Sequence, residues 1–308
     1  MPVGANALPQ RPGVLHDAVI ASPERSVPKA DATGYTTLQE ERLMNLTPEQ
    51  LAQYDRDGFL VFPGLFDREE IAVLRREVAR LSTVQSEEVV REHTGGVRTV
   101  FRVHEADGAT RSAPFRALVR TPRVLRPVRQ VIGTDEVYVY HTKINTKPAI
   151  EGTVWQWHQD YGSWKRDGCP RPDMATFNVM MTDTTEMGGA LYLIPGSHKL
   201  GRIEPVYDES TAYKFWAMPK QRIIEILRGS PEPVAVTGKA GTCVLFHCNT
   251  LHASGHNLSA DDRWHIYVSC NACANAPAFG PDSRPDWVTS RNTAPLPLEA
   301  EDGVLRAA

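Results

Sequence analysis

The sequence predicts a mainly β protein with flanking helices (α+β), built as a double-sheet jelly roll. From Val137 onwards, apolar residues recur with a period of two, which is the spacing of strands that bury one face. The strand-like runs are short, and turns rich in Gly and Pro separate them. Helical spacing dominates only before that point, so strands and helices do not alternate as they would in a parallel α/β sheet. Together these observations favour two packed sheets.

The segment before Val137 is predicted to supply the flanking helices, packed on one outer face of the roll. An irregular lead-in is expected over residues 1–45, which are rich in Pro, Ala, Ser and charge, followed by a main domain over 46–293. Thr47 and Asp67 are good helix caps. The predicted elements are a helix over 47–56, a strand at 59–62, a helix over 69–81, a strand at 100–104, and helical spacing over 114–132 that Pro122 and Pro127 interrupt.

The segment from Val137 onwards is predicted to supply the sheets. Strands are expected at 137–145, 153–157, 176–182, 190–194, 243–246 and 266–269. An insertion near 207–230 shows helical spacing at 212–216 and at 222–228. The tail over 294–308 is expected to be irregular.

Composition narrows the function. The net charge of −3 gives no electrostatic case for binding nucleic acid or a membrane surface. No apolar run approaches the roughly 20 residues of a membrane span, and residues 1–21 lack the pattern of a secretory signal. The five cysteines suggest no disulfide framework, and the Cys270–Cys273 spacing is interpreted as ordinary thiols. We therefore expect a cytoplasmic monomer or homodimer that acts on a small molecule.

A metal site is predicted around residues 154–164, the aromatic run that contains His158 and Asp160. Residues two apart at a strand end project to the same side, so this imidazole and this carboxylate would point together. His252, which follows a predicted strand and a turn, is the candidate third ligand. Two histidines and one carboxylate form the facial triad of non-haem Fe(II) oxygenases, which leaves positions open for a cosubstrate and O2.

Alternatives remain at this point. His247 and His256 could supply the third ligand, or the fourth that a closed zinc site requires. Arg263 follows His252 and could hold a carboxylate of a 2-oxo acid with its forked donors. It could equally form a surface salt bridge with Asp261 or Asp262.

Several segments together resemble the phytanoyl-CoA dioxygenase superfamily of Fe(II)/2-oxoglutarate oxygenases, and within it the ectoine hydroxylases. The likeness runs over most of the chain, and the segments that carry it are 46–66, 97–101, 103–105, 144–148, 157–164, 182–183, 195–199, 248–252 and Arg263. The resemblance implies a double-stranded β-helix (a cupin-like jelly roll) with Fe(II) held by His158, Asp160 and His252. It also implies 2-oxoglutarate as cosubstrate, with its distal carboxylate on Arg263, and with Asn145 and His141 facing it.

The implied reaction hydroxylates an unactivated C–H bond of a small zwitterionic or amino-acid-like metabolite, with succinate and CO2 as co-products; desaturation or cyclisation are possible variants. A non-redox metal-binding jelly roll or a zinc hydrolase with the same ligands is the alternative, and Glu151 is a candidate base for the hydrolase. The sequence departs from the ectoine hydroxylases near the expected substrate: His141 replaces Gln, Lys143 replaces Arg, and the run after Asp160 is one residue shorter.

Further substrate contacts are predicted from residue type. Trp155, Trp164 and Tyr267 could form an aromatic wall around a cationic or zwitterionic substrate, although core packing is the alternative. Thr176 and Asn178 alternate on one strand face and could point inward. Lys143 is expected near the substrate.

Overall fold

The computed structural model describes residues 45–210, 214–298 and 305. Within them the helices are Pro48–Asp57 (α1), Arg68–Leu81 (α2), Ala113–Leu118 (α3), Pro122–Ile132 (α4), Asp160–Trp164 (α5) and Lys220–Gly229 (α6), with single 3-10 turns at Ser197–Leu200 and Cys273–Asn275. The strands are Phe59–Phe62 (β1), Val89–Arg91 (β2), Val97–Phe101 (β3), Val137–Lys147 (β4), Trp155–His158 (β5), Met174–Met180 (β6), Leu191–Leu193 (β7), Val206–Asp208 (β8), Phe215–Ala217 (β9), Val234–Val236 (β10), Cys243–His247 (β11), His252–Ser254 (β12) and Arg263–Ala272 (β13).

The strands form a seven-stranded sheet, in the order β1-β11-β6-β13-β4-β3-β2, and a four-stranded sheet, in the order β10-β7-β12-β5. All their pairings are antiparallel. One apolar cluster joins the two sheets, with Leu191 and Leu193 of the smaller sheet against Met180, Phe246 and Tyr267 of the larger. The double-sheet jelly roll predicted from the sequence is therefore confirmed.

The outer face of the larger sheet carries the main core. Strand residues of the opposite parity, such as Phe177 and Val268, pack there against apolar side chains of α1 to α4. The caps predicted for the first two helices are present, because Thr47 and Asp67 each accept a backbone hydrogen bond within a capping box. The flanking helices thus cover one face, and the other face is left for the smaller sheet.

Helical spacing over 114–132 resolves into two helices because Pro122 occupies the first turn of α4. The strand predicted at 100–104 lies slightly earlier, since Arg102 adopts a φ of 62° and ends β3. Gly58 ends α1 with a φ of 83°, and a Cβ there would come within 2.4 Å of the His198 ring.

The insertion differs from its prediction. Only α6 is helical, and the helix predicted at 212–216 is wrong where the structure describes it, because Phe215–Ala217 is a strand paired with Val206–Asp208. Five residues are too few to separate a helical from a strand period. Residues 212–213 lie outside the described residues, as do the lead-in at 1–44 and most of the tail beyond 298, so the predicted domain limits stay predictions. Among the described helices, none is both long and apolar enough to cross a membrane.

Candidate active site

Two histidines meet across neighbouring strands of the smaller sheet. His158 is the last residue of β5 and His252 is the first residue of β12, and they are direct partners in the antiparallel register. Their ring centroids lie 4.1 Å apart. Ninety-four positions of chain therefore separate two side chains that the sheet places side by side.

The carboxylate arrives by a change of secondary structure. Gln159 has extended backbone and α5 starts at Asp160, so the His-x-Asp segment spans a strand-to-helix junction. The Gln159 side chain fixes this junction, because it donates to the carbonyls of Gly201 (2.7 Å) and Asn249 (2.9 Å) and accepts from the backbone of Ile203 (2.8 Å). Asp160 is thereby held under both imidazoles.

The three side chains point at one another. Oδ1 of Asp160 lies 3.8 Å from Nε2 of His158 and 3.8 Å from Nε2 of His252. One ligand atom from each of the three residues lies within 4.8 Å of the others, and all three residues are buried. His158, Asp160 and His252, predicted from the sequence, are thus brought together by the fold.

Hydrogen bonds orient each of these groups. Nδ1 of His158 lies 2.8 Å from the carbonyl of Gln156, and Nδ1 of His252 lies 2.9 Å from that of Thr250, which leaves both Nε2 atoms facing the centre. Oδ2 of Asp160 accepts a 3.1 Å hydrogen bond from Thr176, one of the predicted inward-facing residues. The donor set is the one that a divalent iron site uses.

The charge states suit a cation. Burial lowers the pKa of both imidazoles, so they are neutral at physiological pH. Burial alone would raise the pKa of Asp160, but His252, Lys143 and His158 lower it to about 2. Two neutral imidazoles and one carboxylate offer lone pairs without a competing proton.

Among the described residues, neither alternative histidine joins this cluster of ligand atoms. Nδ1 of His247 accepts a hydrogen bond from the backbone of Asn249 at 3.0 Å, and His256 is exposed. Glu151, the candidate base of a hydrolase, is exposed and accepts from Thr94 at 2.9 Å. The five cysteines are free thiols.

Arg263 opens β13 and is buried, with 1% of its surface exposed. Its Nη2 donates to the carbonyl of Gly189 at 2.8 Å, and the Tyr267 hydroxyl interacts with the guanidinium, while Nε and Nη1 have no partner in hydrogen-bond geometry among the described residues. Within the same residues it pairs with neither Asp261 nor Asp262; Asp262 instead accepts from the backbone of Ala149. A buried guanidinium with spare donors fits a carboxylate that arrives with a ligand.

Two asparagines also lie on the face of the larger sheet that is turned towards the smaller sheet. Asn145 is buried and its side-chain oxygen accepts from Thr99 at 3.1 Å. Asn178 donates to the carbonyl of Ile266 at 3.0 Å, while its side-chain oxygen has no partner within the segments that the structure describes. Neither asparagine borders the cavity that His158 and Asp160 line.

A cavity of about 530 Å³ opens onto the triad. His158 and Asp160 form part of its wall, and four further residues predicted for cosubstrate or substrate line it: His141, Lys143, Trp155 and Trp164. His141 is buried, neither of its ring nitrogens has a partner in the described part of the chain, and burial keeps its pKa well below the usual value. A neutral ring with two unused nitrogens can donate to a ligand or accept from it.

The predicted aromatic wall carries cations of the protein itself. The Arg98 guanidinium lies 4.5 Å from the centroid of the Trp155 ring, and the Lys143 ammonium lies 5.2 Å from it. The same ammonium lies 5.3 Å from the centroid of Tyr267, which packs in the inter-sheet core and does not border the cavity. These two rings therefore stabilise Lys143 in a half-buried position.

Sequence reasoning missed part of the wall. Phe215 of β9 meets the His158 ring edge-on at 5.1 Å and the Trp155 ring at 5.4 Å. A C-terminal stretch, which lines the cavity with residues between 282 and 288, adds Arg284 and Trp287. The aromatic pair at 215–216 was the available signal for the hairpin, but the C-terminal stretch has no periodicity that predicts its position.

Comparison with known proteins adds independent information. Residues 54–264 match the family model described as phytanoyl-CoA dioxygenase. The chain is 34% identical over 272 residues to the ectoine dioxygenase of Bordetella bronchiseptica, covering 83% of this chain and 86% of that one. It is 33% identical over 262 residues to the L-proline trans-4-hydroxylase of Streptomyces griseoviridis, covering 81% and 95%.

Solved structures agree. The crystal structure of EctD from S. alaskensis with bound Fe matches with a TM-score of 0.71 and 27% identity, covering 83% of this chain and 88% of that one. A second structure of EctD, with 2-oxoglutarate and 5-hydroxyectoine, matches with a TM-score of 0.70 over the same shares. The likeness thus extends over more than four fifths of each chain.

Proposed function

The chain belongs to the phytanoyl-CoA dioxygenase family, and we propose that His158, Asp160 and His252 hold Fe(II) in an enzyme that uses 2-oxoglutarate and O2 to hydroxylate a small zwitterionic metabolite. The observation that carries this proposal is the geometry of the triad. Both Nε2 atoms lie 3.8 Å from one carboxylate oxygen, and both Nδ1 atoms are occupied by backbone carbonyls. This arrangement leaves one side of the site open to the cavity.

With O2, iron and 2-oxoglutarate supply the oxidising power that converts a C–H bond to C–OH while the keto acid becomes succinate and CO2. The chain positions the reactants. Arg263 holds the distal carboxylate of the cosubstrate through the donors that lack a protein partner. Asn145 and His141 border the same interior from the adjacent strand β4. Apolar walls such as Phe215 exclude water from the reacting atoms.

The substrate class follows from Lys143 and from the relatives. Lys143 lines the cavity, and its ammonium has no acidic hydrogen-bond or ion-pair partner among the described residues. It would bind a substrate carboxylate. Ectoine and L-proline, named for the relatives, are both small zwitterions with a carboxylate. Trp155, Trp164 and the rest of the wall would enclose the apolar body of such a molecule.

The proposal is tested by metal binding and by turnover. Anaerobic protein loaded with Fe(II) and 2-oxoglutarate should develop the weak visible charge-transfer band of the chelate, and aerobic incubation should yield succinate. Asp160→Ala should lose stoichiometric iron, because one of the three ligands is removed. The matched control is Asp173→Ala, a partly exposed aspartate that pairs with Arg171 at 2.6 Å and is not one of the three proposed ligands.

A wild-type protein that binds iron but forms neither the band nor succinate would contradict the use of 2-oxoglutarate. Unchanged iron content in Asp160→Ala would contradict the ligand assignment. Arg263→Gln should retain iron and weaken binding of 2-oxoglutarate by about 100-fold, because a buried charge-assisted contact contributes about 1.5–3 kcal/mol.

A further inference from the structure

The charges that line the cavity are not all balanced by the protein. Asp160 belongs to the triad, and three lining cations have acidic partners. These pairs are Arg166 with Glu204 at 3.5 Å, Lys214 with Glu209 at 2.5 Å, and Arg284 with Asp167 at 2.7 Å. Two lining charges remain without an ion pair or a side-chain hydrogen bond among the described residues: Lys143 and Asp282. They have opposite signs.

Asp282 sits on a stretch whose position is tightly fixed. The neighbouring Ser283 donates from its hydroxyl to the carbonyl of Asp167 at 3.1 Å, and the backbone of Arg284 donates to Asp167 Oδ1 at 2.8 Å. The Arg284 side chain adds two hydrogen bonds to Oδ2, at 2.9 and 2.7 Å. Asp167 itself is 1% exposed and also accepts from the Tyr140 hydroxyl.

Asp167 also connects the C-terminal stretch to β4, because it accepts from Tyr140 of that strand. The same strand places His141 and Lys143 at the cavity. Ser290 also donates from its backbone to the carbonyl of Tyr140 at 2.8 Å. Asp282 is therefore held at the mouth of the cavity by a buried carboxylate and by backbone contacts, although its own side chain is exposed. A fixed backbone lowers the ordering cost when an exposed side chain binds a ligand.

The cationic group of a zwitterion is stabilised best by an anionic partner, and two of the three predicted aromatic rings already have protein cations against them. The faces of Trp155 and Tyr267 already lie against the protein's own ammonium and guanidinium groups. Asp160 is committed to the triad. Asp282 is the remaining carboxylate of the described lining.

We propose that Asp282 is a specificity-determining residue that binds the ammonium or amidinium group of the zwitterion whose carboxylate lies at Lys143. The inference rests on the proposed function and deepens it, because it assigns the two poles of the substrate to two oppositely charged residues that line one cavity. Asp167 is the positioning residue for Asp282: it touches no substrate and acts through Ser283 and Arg284.

The test compares zwitterions with analogues that lack the basic nitrogen. L-Proline and ectoine are titrated into anaerobic protein with Fe(II) and 2-oxoglutarate, alongside cyclopentanecarboxylate, and Kd values are taken from the perturbed visible band. Wild type should prefer the tighter zwitterion over the nitrogen-free analogue, and Asp282→Asn should lose about five-fold of that preference, as expected for one partly exposed ion pair. Asp282→Glu should restore most of it.

Asp286→Asn is the matched control, since Asp286 is exposed on the same stretch and does not line the cavity. Its preference should equal that of wild type. Asp167→Asn should lower the preference while the affinity for cyclopentanecarboxylate changes little, which separates positioning from general unfolding. A preference retained in Asp282→Asn, or no preference for either zwitterion in wild type, would overturn the assignment. Absence of the band before any titration would instead indicate failure of the proposed function.

Discussion

Thr176 controls the Asp160 carboxylate without facing the cavity. Its hydroxyl donates to Asp160 Oδ2 at 3.1 Å and lies 3.0 Å from the Ser269 hydroxyl, so one oxygen of the carboxylate is held away from the imidazoles. Thr176→Val keeps the shape and removes the donor. We expect iron affinity to fall by about 10-fold, the lower end of the effect of removing a hydrogen bond to a metal ligand. Competition against a coloured Fe(II) chelator measures it.

The control for this change is Thr142→Val. Thr142 is also buried and lies 3.0 Å from Nδ1 of His104, outside the site. Both variants should lose stability, but only Thr176→Val should lose metal affinity. Equal affinities in the two variants would show that the Thr176 hydroxyl does not orient the ligand.

His104 provides a pH test at the same scale. Burial, with the nearby charges of Arg120 and Arg102, lowers its pKa from 6.5 to about 3. The unfolded chain therefore binds more protons than the folded one between about pH 6.5 and pH 3, and the native state loses stability as the pH falls through that window. Relative to His104→Gln, wild type should lose up to about 1.4 kcal/mol of unfolding free energy per pH unit. Urea unfolding at pH 6.5, 5.5 and 4.5 measures the difference, and parallel curves would contradict the buried neutral imidazole.

At the scale of elements, local signals predicted what is locally encoded. Thr47 and Asp67 predict the starts of their helices because a side-chain oxygen caps the first turn. The long alternation of residue types in β4 identifies it as a strand. The pairing of His158 with His252 is different. It depends on the pairing of β12 with β5 and β7. Because β12 has only three residues, its sequence shows no hydrophobic periodicity that would predict this pairing.

The hairpin of β8 and β9 is the element that the sequence misassigned, and it bears on the site. Phe215 is 7% exposed and contacts both the His158 and Trp155 rings. Phe215→Ala should admit water beside the triad. We expect more succinate formed per hydroxylated product, with iron content unchanged. Trp216→Ala, which removes the stack on Arg166 at 3.7 Å elsewhere in the cavity wall, is the comparison, and an equal rise in both variants would indicate general loosening of the hairpin.

At the scale of the whole molecule, the two faces of the larger sheet differ in composition, and this difference explains why the sequence predicted the fold class but not the whole site. The outer face and its helices repeat simple apolar periods, so the fold class follows from the sequence. The inner face carries the polar residues Arg263, Asn178 and Thr176 among apolar ones. The role of these polar side chains depends on their contacts in the tertiary structure, and the sequence pattern does not show those contacts. The three proposed ligands could be predicted from the His-x-Asp pattern and the family resemblance, whereas the part of the cavity wall formed by Asp282, Arg284 and Trp287 could not.

The site joins distant parts of the molecule, so occupancy should stabilise the whole domain. Iron would link β5 and β12, and 2-oxoglutarate would add Arg263 of β13. A ligand present at 100 times its Kd contributes about 2.7 kcal/mol if only the native state binds it. For a domain of this size, at about 2–4 °C per kcal/mol, Tm should rise by roughly 5–10 °C in anaerobic calorimetry with Fe(II) and 2-oxoglutarate. His252→Ala should show no such rise, because one corner of the site is missing, while Thr142→Val, although less stable, should show the full shift. A wild-type Tm that is indifferent to both ligands would mean that the three side chains converge without binding a metal.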